Sequence, residues 1–473
     1  MKTLPLMEKD YTFRCSKGQS DNPQSSPDGG KKLRPLGRWE NGFCHMHRFA
    51  ALVIVAVMDV DIRMDNDVII RVLAHLMEEQ PALRCHVTSD GGQNRFLLRD
   101  GAAPPFEKQS AAGRQEKHAL IEAASGTDFS RTALLWKLIH LADGERQRST
   151  ILIAGDHVIL DRISFYNLID RFFTLYDVFA SGTVIGPVVG SASDLAPPLD
   201  SYLPPITPLG ALPLFLRTLL RKAWYGDAMP LSRRAPAEER HTRVIVHHFS
   251  GEESGNIFGA CRARAVGLHA FLMSALLMTL CAFLNRSRAV RVTASSNVCL
   301  RREFYVPPEH YGSYISGVVE GFALSRRTEI WKLAAEIEHK LRRAVQRGDH
   351  IRLPLLYEYL RRWLPGRVWL GALNGKQAGR QDPVSISNLI KSQVRSSYNT
   401  LKIERLYGYA SQHGFGNTFT LYPVLLDGSL SFTIAYSEPL IGRREAERFA
   451  ECLRNIVSGA IGGEVTTTRS YTK

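Results

Sequence analysis

The sequence predicts two α/β sandwich lobes joined by a connector, and three observations predict it. The chain has 473 residues, 44% of them hydrophobic, which is more than one ordinary core takes up. Amphipathic helical stretches are interspersed with short strands linked by turn dipeptides, the mixture expected of α/β layers. Between residues 182 and 240 the composition turns rich in Pro and Gly, as a linker between lobes does. The division is a disordered leader over 1–32, a first lobe over 33–181, the connector over 182–240 and a second lobe over 241–473.

The elements follow from local pattern. Residues 17–32 are dominated by Ser, Gly, Asp, Asn, Gln and Pro and lack the apolar content to fold. A helix over 66–79 is capped by Asp65 or Asn66 and ended by Pro81, with Val68, Ile69, Val72, Leu73 and Leu76 as its stripe. Strands over 83–87 and 95–99 flank Asp90-Gly-Gly, and 113–124 reads as a helix. Strands over 134–142 and 149–154 flank Asp143-Gly144. Ser164 can cap a helix whose apolar face is Phe165, Leu168, Ile169, Phe172, Phe173 and Tyr176. The connector holds a helical piece over 214–224. Beyond it come a strand over 243–249, helices over 252–266, 268–284 and 329–347, strands over 290–295, 384–387, 411–421 and 430–436, and a closing helix over 443–461. The run 268–284 is nearly all apolar but short for a bilayer and carries His269, Ser274 and Thr279, so it reads as a helix buried on all sides.

The net charge of +14 favours acidic partners: nucleic acid, anionic lipid, a nucleotide-bearing molecule such as coenzyme A, or an acidic protein. No basic run interleaved with aromatics marks a nucleic-acid groove. The seven cysteines are widely spaced with no CxxC, which argues against a zinc site or a disulfide framework and fits a reducing cytoplasm. Residues 1–14 contain no apolar core of a signal peptide.

The candidate for chemistry is His157-x-x-x-Asp161. The bare spacing is uninformative, since His86-x-x-x-Asp90 repeats it inside a strand, where His86 reads as structural. Context singles out His157. It lies just past an apolar strand and before an amphipathic helix, where side chains face clefts. Imidazole is neutral and basic near pH 7 without tuning. Asp161 can bend back under the loop and pair with a cation, and Arg301, at the end of a second-lobe strand, offers one. His247-His248 lies within a strand with no Asp four residues on and reads as structural. No GxSxG elbow or phosphate-loop lysine occurs.

The stretch from Asp128 to Asp161 resembles the approach to the HHxxxDG motif of nonribosomal peptide condensation domains and of their relatives, the polyketide-associated and plant BAHD acyltransferases. Gln80-Pro-Ala-Leu-Arg84 resembles the end of that family's first helix, Asn297-Val-Cys-Leu-Arg301 its "NLR" segment, and Ser385-Ile-Ser-Asn-Leu389 its "SNLG" segment near the tunnel. The resemblance runs from about residue 33 to 461. It implies two chloramphenicol-acetyltransferase-like lobes with a tunnel between them and His157 at its middle as general base. Asp161, paired to Arg301, would support the loop, and Asp156, Arg162, Ser387 and Asn388 would neighbour the motif and tunnel. No cofactor would be bound. The donor would be a thioester on coenzyme A or on the phosphopantetheine of a carrier protein, the acceptor a small alcohol or amine. Asp156 replaces the family's first His, which favours ester over amide formation. Arg162 and Ile390 replace two glycines, and a long cation at 162 either grips an anionic substrate group or blocks the tunnel. The second alternative would make the chain a silent binding module that docks a carrier protein.

Overall fold

The computed structural model describes residues 30–461 except 48–51, 91, 112, 130–133, 144–146, 184–185, 187–194, 205–206, 227–228, 286–287 and 388–392. In chain order the elements are β1 (Lys31–Pro35), α1 (Arg38–His47), β2 (Val53–Val60), α2 (Asn66–Glu79), β3 (Cys85–Asp90), β4 (Gln93–Leu98), β5 (Phe106–Ser110), α3 (Arg114–Ala124), β6 (Trp136–Asp143), β7 (Arg148–Asp156) and α4 (Arg162–Ala180). After them come α5 (Pro208–Trp224), β8 (His241–His248), α6 (Gly251–Ala263), α7 (Leu268–Leu284), β9 (Val290–Cys299), β10 (Ile315–Leu324), α8 (Ile330–Gln346), α9 (Asp349–Trp363) and α10 (Gly366–Asn374). The last are β11 (Val384–Ile386), β12 (Ile403–Ala410), β13 (Phe419–Leu426), β14 (Ser429–Glu438) and α11 (Arg443–Ile461).

Two large sheets organise these elements. The first has the order β12-β2-β7-β6-β5 and the second β10-β9-β11-β13-β14-β8, while β1-β4-β3 forms a small separate sheet. Helices α2 and α4 pack together in the first lobe, and α7, α8 and α11 in the second. β7 is buried along nearly its whole length, so its run of Ile and Leu sits in a sheet covered on both faces. Asp65 caps α2 through the amides of Asp67 and Val68, which explains the helix start at Asn66. Helix α7 is buried from Ala270 to Leu280 and is the centre of the second core.

The lobes are not cut cleanly along the chain. β12, far into the C-terminal half, pairs antiparallel with β2 from Ile403↔Val60 to Ala410↔Ile54 and so belongs to the first-lobe sheet. Tyr422, Val424, Leu426 and Ala435 of the second sheet in turn join the first core. The strand expected over 411–421 is corrected: 403–410 and 419–426 are the strands. The segment between them is a loop wrapped round the buried guanidinium of Arg380, which donates to the carbonyls of Gln412 (2.7 Å), Gly414 and Asn417 (3.0 Å). Carbonyls that a strand would have given to a ladder are used on a cation instead.

Candidate active site

The site is assembled where β7 ends. β7 pairs with β2 as far as Val53↔Asp156, and the amide of His157 donates to the carbonyl of Leu52 at 3.0 Å. These bonds fix the backbone of His157 at the end of the central strand. Residues 157–161 then turn the chain into α4, whose N-cap is Asp161. The imidazole of His157 lies parallel to the ring of Phe43 from α1, with centroids 5.3 Å apart, and the residue stays partly accessible. Nδ1 is buried and lacks a well-formed hydrogen bond, although the carbonyls of His157 and Leu160 help to favour the charged ring. Burial outweighs these carbonyls and the Asp161 carboxylate, and it holds the His157 pKa below its ordinary 6.5. The ring is therefore neutral at pH 7, the state in which it can accept a proton.

Asp161 is fully buried and both carboxylate oxygens are used. Oδ1 accepts from the amides of Ile163 (3.0 Å) and Ser164 (2.9 Å) and from the Ser164 hydroxyl (3.0 Å). Oδ2 accepts from Arg301 Nε at 2.7 Å and from the amide of Tyr314 at 3.1 Å. The Asp161 amide in turn donates to the Ser164 hydroxyl oxygen at 3.0 Å, closing a capping box. Arg301, 3% exposed, spends its other nitrogens on the carbonyls of Pro307 (2.6 Å) and His310 (2.8 Å) and lies over the Tyr314 ring. Asp161 and Arg301 thus tie the first-lobe loop to the segment that follows β9. Each Arg301 nitrogen and both Asp161 oxygens are engaged, so the pair is held in a fixed, buried geometry.

Asp156, just before His157, is also buried. It accepts from the amide of Val158 at 2.8 Å and faces His47 of α1, whose Nδ1 is 3.3 Å away. Burial pushes its carboxyl above the usual range, and His47 opposes that rise. Arg162, the first residue of α4, reaches across to the second sheet. Nε donates to the Tyr166 hydroxyl (2.9 Å), Nη1 approaches Ser387 Oγ (3.4 Å), and Nη2 donates to the Pro423 carbonyl in β13. Ser387 follows β11, with its amide on the carbonyl of Leu421. Asn388 and Ile390 lie outside the described residues.

The structure therefore brings His157, Asp156, Asp161, Arg162, Arg301 and Ser387 to one junction between the sheets. Sequence reasoning missed Phe43 and His47. Their helix contains Asn41-Gly42, a pair that reads as a turn and hides the helix. It also missed β2, although Val53-Ile-Val-Ala-Val-Met-Asp-Val60 is rich in β-branched residues and carries a strand signal.

No protein-family model and no curated protein matches the chain. Solved structures do. Polyketide synthase associated protein 5 from Mycobacterium tuberculosis is 16% identical, covers 91% of this chain and 99% of its own, and superposes with a TM-score of 0.64. The trichothecene 15-O-acetyltransferase TRI3 from Fusarium sporotrichioides is 13% identical, with 93% and 97% covered and a TM-score of 0.70. The epimerization domain from the third module of tyrocidine synthetase B is 16% identical, with 92% and 98% covered and a TM-score of 0.63. The chain has the fold of condensation domains, such as the first of the CDA synthetase (12% identical, TM-score 0.61, 92% and 98% covered). It shares that fold, over nine tenths of its length, with domains of peptide and polyketide assembly and with an acetyltransferase. Among the described residues no single helix is long and apolar enough to cross a membrane.

Proposed function

We propose that this condensation-type chain is an acyltransferase that moves an acyl group from a thioester to a hydroxyl or amine, with His157 as general base. The observation that carries the reading is the placement of His157. A neutral, partly accessible imidazole stands at a sheet end while the carboxylate four residues on is locked to Arg301. In the step envisaged, the acceptor O–H or N–H attacks the thioester carbonyl and its proton passes to His157. The tetrahedral adduct collapses, the C–S bond breaks, and the imidazolium returns the proton to the leaving thiolate. Holding donor and acceptor at one point supplies rate through proximity. No cofactor is required beyond the donor itself, acyl-coenzyme A or an acyl carrier protein, and the basic balance of +14 suits the phosphates of either arm. Asp156 at the seat of the family's first His favours an ester product.

Arg162 supports a second reading. It occupies the place of a small residue in the family motif and joins the Pro423 carbonyl to Ser387, so a chain that keeps the fold but is silent, docking a carrier protein, fits the same geometry. Thiol release from an acyl thioester, followed with and without an alcohol or amine and with the product identified by mass, separates the two. Acceptor-dependent release with an ester or amide product supports transfer. An acyl group trapped on the protein contradicts direct transfer. Absence of release that Arg162→Gly restores supports the plugged form.

A further inference from the structure

Helix α5 is turned inside out. A surface helix normally directs its apolar stripe at the core and its charges at water. In α5 only Ala211 and Leu214 are buried apolar contacts, and they share the inward face with Arg217, Thr218 and Arg221. Arg217 Nη1 donates to both oxygens of Asp349, at 2.7 and 2.9 Å. Arg221 pairs with Glu320 at 3.1 Å and donates to the Val319 carbonyl. Outward go Leu209, Leu212, Leu216, Leu219, Leu220 and Trp224, all exposed, with Leu209 at 79% and Leu220 at 71%. Their spacing follows one helix face. Helix α9 packs on α5 and ends in Trp363, 75% exposed, and α10 adds Val368 and Leu370. An exposed apolar face of this kind marks a contact surface.

The charges say what covers it. Residues 201–226 and 359–381 contain no Asp or Glu; Arg217, Arg221 and Arg380 are spent on inward partners, which leaves Lys222 in the first segment and Arg361, Arg362, Arg367 and Lys376 in the second. A second copy of the chain would set cations against cations across a two-fold axis. Leu209 and Leu220 project instead of lining a groove, which suits a fluid apolar phase better than a shaped protein pocket. Leu and Trp immersed at the acyl boundary with Arg and Lys among phosphates is the pattern of a helix lying in a bilayer interface. We propose that the face built from α5 and the α9–α10 corner seats the protein on an anionic lipid surface, lying in the interface plane without crossing it. This is independent of the acyl-transfer reading.

The test is co-sedimentation of the full chain with vesicles of phosphatidylcholine and phosphatidylglycerol against vesicles of phosphatidylcholine alone. The expected result is about tenfold tighter binding to the anionic vesicles at low salt, weakening as salt rises. Leu209→Glu with Leu220→Glu should lower that binding by about tenfold or more with unchanged melting and circular dichroism. Lys222→Glu, a milder change at an exposed position, should lower it severalfold should the double variant fold poorly. Failure to bind anionic vesicles, or binding that neither variant weakens, overturns the proposal. So does a dimer in light scattering, or capture of an acidic carrier protein, that the leucine substitutions abolish while vesicle binding is absent.

Discussion

The chain writes the same five-residue pattern twice, and the two copies have different fates. His86 and Asp90 lie along β3, paired with Leu97 and Gln93 of β4. On a strand, residues four apart stand on one face about 13 Å from one another, too far for the carboxylate to act on the ring. His157 and Asp161 bracket the turn from β7 into α4, where the chain folds back. There the aspartate becomes an N-cap and a buried ion-pair partner, and the histidine is left at the end of the central strand against Phe43. Spacing alone carries no chemistry; the secondary structure beneath it decides whether two side chains act together.

The largest effect that could break this contrast concerns Asp161. Asp161→Ala leaves the Arg301 guanidinium buried without its carboxylate and removes the α4 cap. It should cost about 3–5 kcal/mol of stability, read by urea unfolding. A folded, fully stable D161A protein with lost rate would show that Asp161 acts in the chemistry itself.

Acid should act next in size. Burial holds His140, His248, His269 and His413 at about 4, while the unfolded chain titrates them near 6.5. The unfolded state therefore binds more protons as pH falls, and stability present above pH 6.5 is lost progressively toward pH 4. Melting temperature against pH checks this; a flat profile across that window contradicts the buried neutral rings. The same sign applies to the reaction. The His157 pKa is depressed by burial, so kcat/KM should hold steady from pH 8 down and fall only below a midpoint under 6.5.

Arg162→Gly should have the smallest effect on the fold. It removes bonds to Tyr166, Ser387 and Pro423 at a cost of about 1–2 kcal/mol. It should alter which acceptors are taken; an unchanged acceptor range would mean that Arg162 does no more than join the sheets.

Much of this was legible in the sequence, for physical reasons. The capped and striped stretch 66–79, the continuous apolar run 268–284 and the amphipathic stretch 443–461 are local signals, and α2, α7 and α11 have those bounds. Asp427-Gly428, which joins β13 to β14, is a hairpin dipeptide readable in the same local way. What was not legible depends on partners far along the chain. α9 and α10 contain Pro354 and follow Pro365, which reads as interruption. β12 belongs to a sheet some 350 residues upstream, a pairing set by tertiary packing. The loop over 411–418 looked like a strand because nothing local announces Arg380. At the site, Arg301 could be named as a cation, but its three-way grip on Asp161, Pro307 and His310 required the chain to be folded.

The most direct measurement compares His157→Ala with His86→Ala in acceptor-dependent thiol release, both variants having first been shown to melt as the parent does. Loss of the His157 imidazole should lower the rate about 10²–10⁴-fold while the His86 variant keeps it. Equal rates in the two variants, or retained transfer without His157, would contradict the general-base role of His157.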